Sequence, residues 1–441
     1  MTSGRWCCVP VNGYASSTDP LAPRVRDVTD THSPPDRNSA IARDASNPLR
    51  DRRDLFVVPD GTIYLDGNSL GALPRSVPGR ISEVLAEEWG RGLISSWNEA
   101  DWINLPRRVG SKIAPLIGVP DGDVWVSDST SVSLFKTMVA ACRLRPDRNA
   151  IVLERATFPT DGYVAASVAR MLDLELRWCD SADPVSVMDE DVAFVSLTHV
   201  DFRTGAMFDM GEVTDAAHRV GALMLWDLCH SAGAVPVELV DDDVDFAVGC
   251  TYKYLNGGPG SPAFMYAARR HQSAIDQPLS GWMGHARPFD MELSYEPVEG
   301  VGRLASGTPP ILALSALESA LDVFDGIDHS TLRAASLSLT DFFIELVDAR
   351  LGSQFEVITP REHARRGSQV SLRHGQAYGV VQALIARGVI GDFRTPDVAR
   401  FGFAPLYVSH LDVYDAVDHL VQVMDGEEFA RPEYATRNAV T

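Results

Sequence analysis

Two runs decide how this chain folds: Asp227-Leu228-Cys229-His230-Ser231-Ala232-Gly233-Ala234, and then Gly249-Cys250-Thr251-Tyr252-Lys253-Tyr254-Leu255-Asn256-Gly257-Gly258-Pro259-Gly260. Each ends an apolar stretch, Ala222-Leu223-Met224-Leu225-Trp226 in the first case and Asp245-Phe246-Ala247-Val248-Gly249 in the second. Short apolar runs bounded by Gly-rich turns read as buried strands, so both polar clusters fall where strands emerge from a core. In α/β proteins the carboxyl ends of such strands carry the chemistry.

An Asp at one strand end and a Lys at the next fit a pyridoxal 5'-phosphate site. The lysine amine condenses with the cofactor aldehyde, and the carboxylate keeps the pyridine nitrogen protonated, which makes the ring an electron sink. Lysine suits this task because apolar and cationic neighbours lower its pKa toward neutrality. Taken singly, Asp227 reads more readily as a helix cap and Lys253 as a surface lysine. The pair, each on its own strand end and each beside Gly-rich turns, points to the cofactor.

The strings Asp-Leu-Cys-His-Ser-Ala-Gly-Ala-Val-Pro and Tyr-Lys-Tyr-Leu-Asn-Gly-Gly-Pro-Gly closely resemble the kynureninase family, pyridoxal phosphate enzymes of aminotransferase fold type I. The resemblance runs from about Leu55 to about Leu420. It implies an α/β fold, with a large domain on a mainly parallel seven-stranded sheet and a smaller α+β C-terminal domain. The expected division is a disordered or loosely attached leader over 1–50, a segment over 51–110 packing with the small domain, the large cofactor-binding domain over 111–330 and the small domain over 331–441.

The bulk properties agree with an ordinary globular enzyme: 441 residues, 45% hydrophobic and 22% charged. A net charge of −21 argues against nucleic-acid or anionic-membrane partners, which need a basic face, and means that an anionic cofactor must be held by local donors. No apolar run reaches the length of a membrane helix, and the N-terminus lacks a signal pattern, so the chain reads as cytoplasmic. The six cysteines show no zinc spacing, so no metal is expected and reduced thiols are the default.

Further candidates follow along the chain. The Pro-, Ser-, Asp- and Arg-rich opening cannot bury much surface, and ordered structure is expected from about Leu55. Tyr64-Leu65-Asp66-Gly67-Asn68-Ser69-Leu70-Gly71 reads as a short strand running into a turn, and it matches the family's opening. Ser69 is accordingly a substrate-binding candidate. Trp97, in Ser96-Trp97-Asn98, reads either as a core aromatic or, by resemblance, as a substrate-pocket residue. Ser127-Asp128-Ser129-Thr130-Ser131 precedes a helical run. Free N–H groups and hydroxyls at a helix start hold a phosphate without a lysine, though a plain cap reads equally well. The resemblance assigns Thr130 and Ser131 to the cofactor phosphate.

The resemblance also stacks Phe158 on the pyridine ring and places Pro159, Thr160, Asp161 and Thr198 around the cofactor. It makes His230 a cofactor contact and Tyr252 a phosphate contact and acid, where His230 otherwise reads as a core histidine. Asp201 and Phe202 stand where the family more often has Asn and Tyr, which adds a carboxylate near the expected pocket and removes a hydroxyl. Thr251 replaces a common glycine, and Pro310 follows Gly307-Thr308-Pro309 where the family more often shows Gly-Thr-Gln-Pro. Trp282 and Thr308 lie on loops that, by resemblance, cross a homodimer interface to the partner's phosphate. Arg400 interrupts the apolar run Val398–Phe403. A buried guanidinium needs an anion: a structural salt bridge or, by resemblance, the substrate α-carboxylate.

The implied reaction is hydrolysis of L-kynurenine, or 3-hydroxy-L-kynurenine, to an anthranilate and L-alanine by Cβ–Cγ cleavage. It belongs to tryptophan catabolism, with Lys253, Tyr252 and Asp227 as the catalytic residues. Alternatives are a specialised enzyme for methyl- or hydroxy-substituted kynurenine and another fold type I activity, an aminotransferase or desulfurase. The expected partners are an amino-acid substrate and a second copy of the chain, with the active site at their interface.

Overall fold

The computed structural model describes residues 35–434 and 436–437. At its centre lies a seven-stranded sheet of β1 (Val124–Val126), β2 (Ala150–Glu154), β3 (Glu175–Cys179), β4 (Val192–Thr198), β5 (Leu223–Asp227), β6 (Phe246–Gly249) and β7 (Phe264–Ala267), in the order β1-β7-β6-β5-β4-β2-β3. Neighbours from β3 through β6 pair in parallel, and β7 runs antiparallel to both β6 and β1. Every residue of β2, β4, β5 and β6 is buried, as their continuous apolar runs require of strands covered on both faces. The turns that follow β1, β2, β4, β5 and β6 all leave one edge of this sheet, and they are the turns singled out above.

A second sheet of β8 (Glu356–Val357), β9 (Gln369–Arg373), β10 (Asp392–Arg394) and β11 (Val398–Gly402) is antiparallel, in the order β8-β9-β11-β10. Its register sets Asp392 opposite Arg400. The N-terminal segment reaches this sheet: Ile63–Tyr64 pairs in parallel with Val389–Ile390, and Asp66 bridges to Gly402. The same segment then crosses to the large sheet, where the Gly71 N–H donates to the Tyr252 carbonyl at 2.8 Å. Gly71 permits the approach, since a Cβ there would lie 2.3 Å from the Lys253 carbonyl oxygen. One turn thus joins the carboxylate end of the site to its lysine.

Order begins ahead of the expected Leu55. A helix, α1 (Arg37–Ser46), is capped by the Asp36 side chain, and a 3₁₀ turn over Arg50–Leu55 follows it. The polar sequence of α1 buries only Ala40 within the helix, so its own pattern gave no sign of it. It is held by long-range bonds instead. The Asp44 carboxylate accepts the His410 and Leu411 N–H groups at 2.7 and 3.0 Å, capping a helix of the C-terminal region, His410–Asp425. The rest of the expected leader, residues 1–34, lies outside the described residues. A helix over Val77–Glu83 continues as a wider π-helical stretch over Val84–Gly92.

Candidate active site

β5 delivers Asp227 to the sheet edge, opposite Thr198 of β4. Asp227 is buried, and its Oδ1 accepts the Cys229 N–H at 2.7 Å. Against it stands Asp161, in the first turn of α2 (Pro159–Leu172) just after Pro159 and Thr160. Thr157 Oγ1 donates to Asp161 Oδ2 at 3.2 Å and lies 3.1 Å from Thr198 Oγ1. Burial first, and the neighbouring Asp227 second, hold the Asp161 carboxyl well above the usual range. Two buried carboxyls in contact cannot both ionise cheaply, so the pair retains a proton or calls for a cationic N–H beside it.

Lys253 follows β6, with Nζ 2.9 Å from His230 Nε2 and 5.8 Å from the centre of the Tyr252 ring. His230 is buried, and burial together with the lysine charge pushes its imidazole well below the ordinary value. A neutral ring takes the hydrogen bond from the ammonium. Burial raises the Tyr252 phenol, which therefore keeps its proton. Cys229 and Cys250 pack between these groups as free buried thiols, with the Cys250 N–H donating to Cys229 Sγ at 3.1 Å. Thr251, at the family's usual glycine, donates its hydroxyl to the Pro262 carbonyl at 2.6 Å and lies 2.7 Å from Ser261 Oγ, tying the lysine loop to β7.

The expected phosphate end is the start of α3 (Thr130–Arg143), where Ser129 accepts the Val132 N–H and Thr130 and Ser131 occupy the first turn. The sequence reading missed Lys136 in this helix. Its side chain is 0% exposed, and its ammonium donates to Asp128 Oδ2 at 2.6 Å and to the Leu304 carbonyl at 2.9 Å. It ties the turn before α3 to the loop that leads to Thr308. Near neutrality a buried lysine in an apolar helix face needs such partners, and its position on that face was the available signal.

Phe158 lies between these ends, 46% exposed, with its ring meeting Phe202 edge-on at 5.4 Å. Asp201 turns one carboxylate oxygen onto its own turn. Its Oδ1 accepts the N–H groups of Arg203 and Thr204 and the Thr204 hydroxyl, at 3.1, 2.6 and 2.6 Å.

At the far end Arg400 is buried. Its Nε donates to Asp392 Oδ1 at 2.8 Å, Nη2 to Ser69 Oγ at 2.8 Å and to Asp392 Oδ2, and Nη1 to the Phe202 carbonyl at 2.5 Å. Ser69 and Arg400 are thus brought together as expected, while Asp392 and Arg394 were missed. Arg394 donates to Asp392 at 2.6 Å and to Ser69 at 3.2 Å. Burial opposes ionisation of Asp392, but the Arg400 and Arg394 charges hold its carboxyl below the usual range. Asp66 is pushed up to about 7 by burial and by Asp392.

Trp97, Trp282 and Thr308 have other surroundings. The Trp97 ring packs edge-on against Trp102 at 6.0 Å, Trp282 meets Phe289 edge-on at 5.7 Å, and Thr308 is exposed. None makes a hydrogen bond or ring contact with Lys253, Asp227 or Arg400 among the described residues.

The chain is similar to the curated kynureninase of Burkholderia pseudomallei strain 1106a, with 52% identity over 413 residues, 92% of this chain and 99% of that protein. The chain belongs to the kynureninase family. A kynureninase of Pseudomonas fluorescens is 50% identical over the same shares, and the kynureninase C-terminal domain model matches residues 332–420. Among solved structures, a cysteine desulfurase of Thermococcus onnurineus superposes with a TM-score of 0.73 over 85% of this chain and 98% of its own, at 18% identity, which shows a shared fold. Kynureninases are pyridoxal phosphate enzymes, and the residues present fit that group. An ammonium lies beside a neutral imidazole, a buried carboxyl pair suits a pyridinium N–H, and a helix of 14 residues offers free first-turn donors. No helix among the described residues is long and apolar enough to cross a membrane.

Proposed function

We propose that this kynureninase-family chain hydrolyses L-kynurenine, with 3-hydroxy-L-kynurenine as the related substrate, to an anthranilate and L-alanine. The observation that carries the reading is the order of groups along the site: carboxyl pair, lysine–histidine pair, then Arg400 with Ser69. That order matches an α-amino acid attached near Lys253 with its carboxylate toward Arg400.

Pyridoxal 5'-phosphate bound there supplies an aldehyde for amine exchange and a ring that withdraws the electrons released at Cα. Asp227 holds a proton on the pyridine nitrogen, and Asp161 supports it. Phe158 offers its open ring face for stacking. Thr130, Ser131 and the α3 N-terminus receive the phosphate, with Tyr252. Arg400 and Ser69 would fix the carboxylate and so orient the Cα–H bond toward its base. Lys253 takes and returns protons at Cα, with His230 as the neutral partner that accepts its hydrogen bond. Water adds to the γ-ketone, its OH staying on Cγ; the Cβ–Cγ bond breaks with its electron pair on Cβ, which takes up the remaining proton, and Tyr252 is the acid that relays protons at the ketone. The atoms balance as kynurenine plus water giving anthranilate plus alanine.

We read the working unit as a homodimer. Trp89, Leu93, Ile94, Phe289, Met291 and Leu293 are exposed, and an apolar cavity of about 460 Å³ runs between Trp89, Trp102, Pro310 and Leu312. The Met283 N–H donates to the Ser306 carbonyl at 3.1 Å, which joins the Trp282 and Thr308 loops. In that reading Trp282 and Thr308 serve the partner's site. We place the division into large and small domains near residue 330, between the two sheets. A cytoplasmic setting fits the free thiols of Cys142, Cys179, Cys229 and Cys250.

The narrower reading, a preference for substituted kynurenines, draws on Asp201, Phe202 and Pro310, and of these the Asp201 carboxylate is engaged through Oδ1 in its own turn. The test of function is anthranilate fluorescence on mixing cofactor-loaded protein with L-kynurenine, beside 3-hydroxykynurenine and the variant Lys253→Ala. Release by the native chain and none by the variant is expected. Silence with both substrates, despite a lysine–cofactor absorbance band, sinks the assignment.

A further inference from the structure

Arg400 has five N–H donors, and four are already committed within the chain, to Asp392 twice, to Ser69 and to the Phe202 carbonyl. One donor on Nη1 remains, too few for the two-point grip that makes arginine a selective carboxylate ligand. Arg394 lies two residues from Asp392 on the same strand, and Arg400 is directly opposite Asp392, so all three side chains rise from one face of the β10–β11 pair. Arg394 Nη2 shares both Asp392 and Ser69 with Arg400. Its Nε is buried without a hydrogen-bond partner, and its side chain stays 34% exposed. An unsatisfied buried donor on a charged group is costly, and this one belongs to the guanidinium that shares Asp392 and Ser69 with Arg400.

The charges point the same way. Two guanidinia face one firmly ionised carboxylate, Asp392, while Asp66 adds at most a fractional charge near neutrality. The cluster is short of one anion. Burial and the nearby Arg400 lower the Arg394 pKa, and the charges of both Arg400 and Arg394 reach the His230 ring.

We propose that Arg394 is a second substrate-binding guanidinium, which with Arg400 bridges the α-carboxylate of the amino-acid substrate. Asp392 and Ser69 are the spacer that holds the two cations side by side. This rests on the reading that Arg400 receives that carboxylate.

The test uses the cofactor-loaded full chain and the desamino analogue 4-(2-aminophenyl)-4-oxobutanoate beside its carboxamide, with binding followed by calorimetry. Neither probe carries the amine that reacts at Lys253, so binding is read apart from turnover. The native chain is expected to prefer the acid. Arg394→Gln and Arg400→Gln are each expected to weaken the acid by about 10- to 100-fold while leaving the amide nearly unchanged. Arg394→Lys, which keeps the charge, recovers part of the loss. The double variant decides between direct and indirect action: removing Arg394 from the Arg400→Gln chain abolishes the remaining preference for the acid if Arg394 touches the carboxylate. No further loss in that background overturns the proposal and leaves Arg394 as a support for Arg400. Equal weakening of acid and amide overturns it too. If Arg400→Gln itself leaves acid binding intact, the carboxylate reading of Arg400 fails, a result distinct from failure at Arg394 alone.

Discussion

Lys136→Met separates the buried ammonium from the packing of its stem. Methionine has nearly the length and volume of the lysine stem, so little cavity results. Two hydrogen bonds vanish, one to Asp128 at 2.6 Å and one to the Leu304 carbonyl at 2.9 Å. Bonds to charged groups contribute about 1.5–3 kcal/mol each, and breaking a wholly buried pair costs about 3–5 kcal/mol. Two terms reduce this figure here. The Asp128 side chain is 31% exposed and regains water, and the variant no longer pays for burying a cation, a cost visible in the depressed Lys136 pKa. The expected net loss is about 2 kcal/mol in urea unfolding of the cofactor-free chain. Because the lost bonds join the turn before α3 to the loop that leads to Thr308, cofactor affinity, read from absorbance titration, falls as well. A variant within about 0.5 kcal/mol of the native chain and with unchanged cofactor affinity refutes the claim that this ammonium fastens the two segments.

Asp44→Ala removes an acceptor that caps the His410–Asp425 helix from outside and is expected to cost about 1–2 kcal/mol in thermal unfolding; no change means that α1 is only loosely laid on the C-terminal region. Gly71→Ala forces a methyl to within 2.3 Å of the Lys253 carbonyl oxygen, so the lysine–cofactor absorbance band is expected to shift or weaken, and an unaltered band argues that the 66–71 turn does not set the lysine loop. At the other end of the sheet Asp245 accepts His218 Nε2 at 2.8 Å, and this bond raises the His218 pKa. Its contribution is therefore full below the unfolded value of about 6.5 and is lost as pH rises through the folded pKa. The native chain should exceed His218→Gln in stability by more at pH 5.5 than at pH 8.5, both values being about one to two units from that midpoint; an equal gap at both argues that the bond is not charge-assisted.

The main sheet was legible because its strands are continuous apolar runs, each ending in a polar cluster, and that pattern survives without knowledge of pairing. Asp227, Lys253, His230 and Asp161 meet because adjacent parallel strands deliver their turns to one edge, which follows from strand order. Arg400 announced itself as a charge within an apolar strand. Asp392 and Arg394 did not, because their meaning depends on the β10–β11 register, and Asp392-Phe393-Arg394 alone reads as an ordinary alternating segment. Helix α1 was illegible for a different reason: its anchors, Asp44 to His410 and Arg43 to Glu345, join residues hundreds of positions apart and leave no local periodicity. Asp201 shows the opposite failure, since a carboxylate close to the pocket in sequence was turned inward by its own backbone.

The two ends of the site carry opposite imbalances, and together they assign a direction to whatever binds between them. At the Asp227 end, two carboxyls crowd together, and burial holds one of them well above its usual pKa. At the Arg400 end, two guanidinia share one ionised carboxylate, and the Arg394 pKa is lowered. Lys253 and the neutral His230 stand between them. Each imbalance costs free energy in the folded chain, and each is relieved by a group of opposite charge: a pyridinium N–H at one end and a carboxylate at the other. Relief of a pre-existing cost strengthens binding without further reorganisation. In the function proposed above, an amino acid with its carboxylate drawn to the guanidinia presents its α-carbon toward Lys253, which is the arrangement that cleavage of its side chain requires.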